Sequence, residues 1–144
     1  MAMKVTNQIT WLGTPESRIL SIRQFRKQID KMPFEDAVKL TVDNWSSGPT
    51  VHNLKFDISK VEEWPTPWDL FGQSTFCSNS QALGTFYTLL LSEHAKEHDI
   101  KLAIIEDVIT GERPAIVFDN PPLTEFTVSS IISSNDIKNK LGVD

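Results

Sequence analysis

One cysteine in 144 residues excludes an internal disulfide and a cysteine-rich zinc site. It fits a reducing compartment. Basic charge is also scarce: 14 Lys and Arg stand against 19 Asp and Glu, a net charge of −5. The densest basic stretch, with Arg23, Arg26, Lys27 and Lys31, is balanced by Asp30, Glu35 and Asp36. Nucleic-acid binding needs a cationic face to neutralise phosphates, so no nucleic acid is expected as a partner. Apolar runs are too short to span a bilayer. The first residues, Met1-Ala2-Met3-Lys4, lead into Thr6-Asn7-Gln8 rather than into the apolar centre of a signal peptide. No membrane partner is therefore expected, and the chain reads as soluble and intracellular. Phosphate loop, dinucleotide fingerprint and GxSxG elbow are all missing, so no cofactor is expected. There is no internal repeat.

With 40% hydrophobic and 23% charged residues, the balance is globular rather than disordered. The length suits one domain over residues 1–144. Residues 1–13 hold a single apolar patch, Ile9, Trp11 and Leu12, read as a short strand or as an arm that docks on a partner. Thr14 as cap and Pro15 at the first position open a helix with Ile19, Ile22, Phe25 and Ile29 at helical spacing. Its polar face is expected to carry Arg18, Arg23, Arg26 and Lys27. Met32-Pro33 breaks it, and a second helix begins with Glu35 and Asp36 in its first turn. Phe34, Ala37, Val38, Val42 and Trp45 form its expected buried stripe, and Ser46-Ser47-Gly48-Pro49 ends it. The short link predicts an antiparallel helical hairpin.

Residues 51–58 read as a short strand or an extended strap, and Pro67 to Phe71 as one helical turn capped by Thr66. A central helix is predicted over residues 77–98, apolar around much of its middle through Leu83, Phe86, Tyr87, Leu90 and Leu91. Gly84 inside it is about 1 kcal/mol worse than alanine. Close approach of an indole, Trp64 or Trp68, is the expected compensation. Strands follow at 101–107, 114–119 and 124–128, with Pro114 tolerable as a first strand residue. Short turns between them predict an antiparallel meander. A last helix over 134–141, capped by Ser134 or Asn135, stops at Gly142. The class is α+β: an N-terminal helical hairpin and a central buried helix packed on a small antiparallel sheet of about three strands.

Cys77 heads the central helix, where the dipole and free N–H groups favour a thiolate. A nucleophilic cysteine also needs a base, normally a histidine. His94 and His98 lie about 25 to 30 Å along a continuous helix and cannot serve. His52 precedes the loop and could fold back. The alternative is a half-buried structural thiol under Trp64 and Trp68. His94 and His98 have an i,i+4 spacing that can bind zinc, but no third ligand is evident, so no metal is expected. Trp64 and Trp68 form either an aromatic ligand platform or a rigid plug over the core, and the plug is favoured. Glu106, Asp107, Glu112, Asp119 and Glu125 are scattered over turns and strand ends and read as solvated.

Trp64-Pro65-x-Pro67-Trp68-Asp69-Leu70, then Cys77, then Ala82-x-Gly84-x-x-Tyr87-Thr88-Leu89 resembles a motif of small tailed-bacteriophage proteins. The resemblance centres on residues 64–91 and extends loosely over 101–118. A cysteine at the head of a core helix, ahead of an antiparallel sheet, is also similar to the transglutaminase-like (papain-like) fold. That superfamily opens a strand with a histidine and places an aspartate on the next. Here Arg113 and Pro114 stand at the histidine's place, with Asp119 or Glu125 at the aspartate's, so only the cysteine carries over. The resemblance implies a non-catalytic scaffold: a phage structural or interaction protein, a minor virion component at the neck or tail. Its partners would be other phage structural proteins, and a homo-oligomer is compatible with it. It would reside in the virion, and in the host cytoplasm during assembly. The alternatives are a small cysteine hydrolase or acyltransferase using Cys77 with His52, and an accessory phage protein that binds a host factor.

Overall fold

A computed structural model of the chain describes residues 8–109, 111–119 and 127–141. Helix α1 (Pro15–Ile29) opens with a reciprocal cap: Thr14 Oγ1 accepts the Ser17 amide at 3.1 Å, and Ser17 Oγ accepts the Thr14 amide at 2.9 Å. Ile22, Phe25 and Ile29 are buried as their spacing requires. Arg18, expected on the polar face, is buried with them. It lies four residues before Ile22, in phase with the apolar stripe.

Helix α2 (Phe34–Ser46) follows, but its buried face is Ala37, Thr41, Asn44 and Trp45. Val42, expected inside, is 42% exposed, and Phe34 and Val38 are half-buried. The reason lies in helix α4 (Ser78–Leu90). A Cβ on Gly84 would stand 2.4 Å from the Trp45 ring. The Trp45 indole donates to Thr88 Oγ1 at 3.0 Å, and Thr88 Oγ1 donates in turn to the Gly84 carbonyl. The indole that compensates Gly84 is thus Trp45, not Trp64 or Trp68, and seating it rolls α2 away from Val42. The polar residues drawn inside satisfy themselves: Thr41 donates to the Ala37 carbonyl and Asn44 to the Leu40 carbonyl.

Residues 51–58 form a strap with no regular strand. One parallel bridge, Thr50 to Phe76, starts it. Helix α3 (Pro67–Phe71) has the predicted bounds, with Thr66 Oγ1 accepting the Asp69 amide. Helix α4 stops at Leu90, eight residues before the predicted end at His98. Ser92 Oγ donates to the Leu89 carbonyl, and the Asp30 carboxylate accepts the Glu93 amide at 2.8 Å. These side chains outcompete helix continuation, and a 3-10 turn, Glu93–Lys96, replaces it.

Strands β1 (Ile100–Asp107), β2 (Gly111–Phe118) and β3 (Thr127–Ile132) form one sheet in the order β2-β1-β3, both outer strands antiparallel to β1. This is not the predicted meander, because β3 pairs with β1 rather than with β2. Of the expected third strand, residues 124–126 lie outside the described residues. A register shift between Ile104 and Ile105 bulges the β1–β3 ladder. Pro114 sits inside β2 rather than at its start. The Asp119 amide donates to the Asp99 carbonyl, which makes 99 and 119 a bonded pair. Alternation then turns the nitrogen of residue 114 outward, away from β1. No ladder bond is lost there.

Ile100, Leu102, Ile104, Ile116, Phe118 and Ile132 join the sheet to the same hydrophobic cluster as α4. Ser133, not Ser134 or Asn135, caps the last element through a reciprocal pair with Asp136. A 3-10 turn, Ser134–Ile137, runs into helix α5 (Lys138–Leu141). Gly142, its expected stop, lies outside the described residues. Among the described residues no helix is long and apolar enough to cross a membrane.

Candidate functional site

Cys77 is the N-cap of α4 and is fully buried. Its Sγ accepts the Ser80 amide at 3.4 Å and the Lys55 amide at 3.4 Å, and lies 3.1 Å from Ser80 Oγ. Burial pushes the thiol up. The amides of Lys55, Ser80 and Asn79 and the Ser80 hydroxyl outweigh that and leave it below its ordinary value.

The strap seals the sulfur. Lys55 Nζ donates to the Thr75 carbonyl at 2.7 Å, Asn79 Nδ2 to the Phe56 carbonyl at 2.9 Å, and the Val51 amide to the Phe76 carbonyl at 3.0 Å. His52 sits exposed on this strap, and among the described residues no hydrogen bond joins an imidazole to Sγ. Lys55 and Ser80 were not singled out in the sequence. A Cys-x-x-Ser spacing at a helix start was the available signal for Ser80. Nothing local announced Lys55, whose role depends on how the strap folds.

The two loop tryptophans part company. Trp64 is buried, with its indole N–H on the Ile58 carbonyl at 3.0 Å, and it plugs the core as expected. Tyr87 supports it by donating to the Pro65 carbonyl at 2.7 Å, and burial raises its phenol. Trp68 is 41% exposed, so it is no plug. It stands edge-to-face with Phe71.

Among the three arm residues, Ile9 is buried and Trp11 packs edge-on to Trp45 at 4.9 Å and Phe76 at 5.1 Å. They pack into this chain's own body, and Leu12 is 81% exposed. The physical reason is a prepared slot: Gly48 leaves room where a Cβ would meet the Trp11 ring at 3.3 Å.

His94 and His98 do not share a helix. His94 Nε2 donates to the Ile29 carbonyl at 2.7 Å. His98 Nδ1 pairs with Asp119 Oδ2 at 2.9 Å and stacks on Phe34 with ring centroids 3.8 Å apart. Asp119, expected to be solvated, is exposed and is also paired. Its carboxyl is held below the usual range first by His98, then by the Asp99 amide. It does so at φ 52°, in the left-handed region.

Helix α4 alone puts about 20 Å between this joint and Cys77. Glu112 accepts the Ser129 hydroxyl at 3.0 Å, and Glu106 is exposed. Arg113 and Pro114 lie on β2, Asp107 ends β1, and Glu125 lies outside the described residues. No cluster of His, Cys, Asp or Glu among the described residues is arranged to hold a metal ion. Val42 faces an open apolar furrow of about 380 Å³, shared with Phe34, Val38 and Phe118.

No family model matches the chain, and neither curated proteins nor solved structures yield a match.

Proposed function

We propose that this chain is a structural or interaction protein of a tailed bacteriophage, a minor virion component at the neck or tail, working through protein contacts on a non-catalytic scaffold. The observation that carries the reading is the state of Cys77. The one residue that the resemblance would make catalytic is fully buried, and amide and hydroxyl groups occupy its sulfur. Apolar side chains are spread over the outside instead. Val108 at the β1–β2 turn is fully exposed, and Leu12, Leu54 and Trp68 are exposed as well. Mass spectrometry of purified particles tests the reading: the protein is expected among the virion components, and its absence would overturn that placement. Particles assembled with Cys77→Ser are expected to be normal in yield and infectivity.

A second reading, a small cysteine hydrolase or acyltransferase, draws on the lowered thiol at the head of α4. His52 also rides the strap three residues from Lys55. Rapid alkylation of Cys77 at pH 6, where an ordinary thiol is protonated, is the outcome that would favour it.

A further inference from the structure

Resting on the reading of a protein that works through contacts, we propose that the free edge of β2 receives an extended segment of a partner protein, which joins the sheet as a fourth strand beneath α2. β2 is an outer strand, and the bonded pair 99 and 119 fixes which way its backbone faces. Its odd residues bond to β1. The N–H and C=O groups of Ile116 and Phe118, and the carbonyl of Pro114, point away from β1. Among the described residues no hydrogen bond takes up these outward groups.

Beside that edge the helical layer lacks a floor. Phe34, Val38 and Val42 recur every four residues on α2, a stripe suited to burial. Trp45 turns this stripe off α4, and no described strand lies beyond β2 to cover it. The furrow of about 380 Å³ under the stripe continues past Val38, Val42 and Phe118 into a second hollow of about 360 Å³, which reaches Ile116 and Pro114. A strand paired to β2 sets its side chains opposite Ile116 and Phe118 on the same face as theirs, the face packed on the α4 cluster. Two aliphatic side chains spaced i,i+2 then fill the furrow while their backbone satisfies the edge. A helix bonds its own backbone and would leave the β2 groups unpaired, so the occupant is extended. Its length is bounded as well. Pro114 offers no donor at one end, and Asp119 at φ 52° turns the chain at the other. The rim sets Glu35 and Asp43 against Lys39, which suits a basic residue flanking the apolar pair.

The test reads amide hydrogen exchange by NMR on the full chain, with acetyl-Lys-Val-Thr-Val-Thr-Val-Lys-amide as probe. In dilute free protein the Ile116 and Phe118 amides are expected to exchange fast, and those of Ala115 and Val117 slowly. Slow exchange at 116 and 118 there would overturn the proposal, because the edge would already be filled. Millimolar probe is expected to slow exchange at those two amides about tenfold. No slowing would overturn it. A probe N-methylated at its valines keeps the side chains and is expected not to bind; equal binding would mean that the furrow takes side chains without strand pairing, against the proposal. Val42→Asp changes an exposed position and leaves the fold intact. It is expected to weaken the probe about tenfold, and unchanged affinity would contradict a role for the furrow. Protection that grows with protein concentration alone would assign the edge to a second copy instead. Mass spectrometry of particles depends on none of these readouts, so virion placement and strand site can fail separately.

Discussion

The two ends of α4 hold residue types that can take part in acyl transfer and keep them about 20 Å apart. At the N-terminal end a thiol sits among amides and the Ser80 hydroxyl, and among the described residues no imidazole is bonded to it. Beyond the C-terminal end, an imidazole and a carboxylate are paired at 2.9 Å. Both groups are consumed by packing. The thiol caps a helix and fastens the strap, and the His98–Asp119 pair fastens the end of β2 to Phe34 and the head of α2. Residue types that suggest chemistry in a sequence become chemistry only when the fold brings them within reach. Here a helix of 13 residues does the opposite.

The largest effect should come from the contact that positions α4 itself. Trp45→Ala empties the space against Gly84 and removes the indole donor to Thr88 Oγ1, and is expected to lower stability by about 4 kcal/mol in urea unfolding. Gly84→Ala alone drives a methyl into that ring and should cost about 3 kcal/mol. With Trp45 already removed, the same change should gain up to about 1 kcal/mol in helix propensity. A cycle without that reversal of sign would break the account of α2 and α4.

Next comes Arg18→Met, which keeps the stem but strips donors from the carbonyls of Gly13 and Gly72. A loss of about 2 kcal/mol is expected, with faster hydrogen exchange in the arm.

Smaller effects sharpen the contrast between the ends of α4 through pH. Cys77 has a thiol lowered by folding, so it adds stability above its unfolded pKa and loses it as pH falls through the folded value. Wild type should therefore gain stability over Cys77→Ser as the pH climbs towards 9. At the other end, the Asp119 carboxyl is also lowered. Its contribution is present above the unfolded carboxylate range and disappears as pH falls through the folded pKa. Asp119→Asn keeps a residue that tolerates positive φ and should flatten the acid limb of a stability profile. An unchanged acid limb would mean that the pair adds nothing.

Much of the fold was written in local signals. Thr14-Pro15 and Thr66-Pro67 marked helix starts that the structure keeps, and the three strands were recognisable by period. What failed depended on tertiary partners. The roll of α2 follows from one indole meeting one glycine in a different helix, and no pattern within residues 34–46 encodes that. The end of α4 depends on Asp30, 63 residues before Glu93, which takes its amide. Arg18 was readable, because its phase matched Ile22 and Phe25, but its charge argued for the surface. Three backbone carbonyls accept from its guanidinium and make the burial tolerable, and such a cage exists only after folding. At the site, the cysteine and its cap position were legible, while the strap that closes over it was visible only as an extended segment.

Pro114 bears on how this protein behaves when crowded. An edge strand with a full row of donors invites the next molecule to zip on, and repetition of that step makes fibres. Along β2 the outward row is interrupted at Pro114, where a bonding N–H is replaced by a ring. Edge-to-edge pairing along β2 would lack a donor at its midpoint, which disfavours ribbon growth from that side.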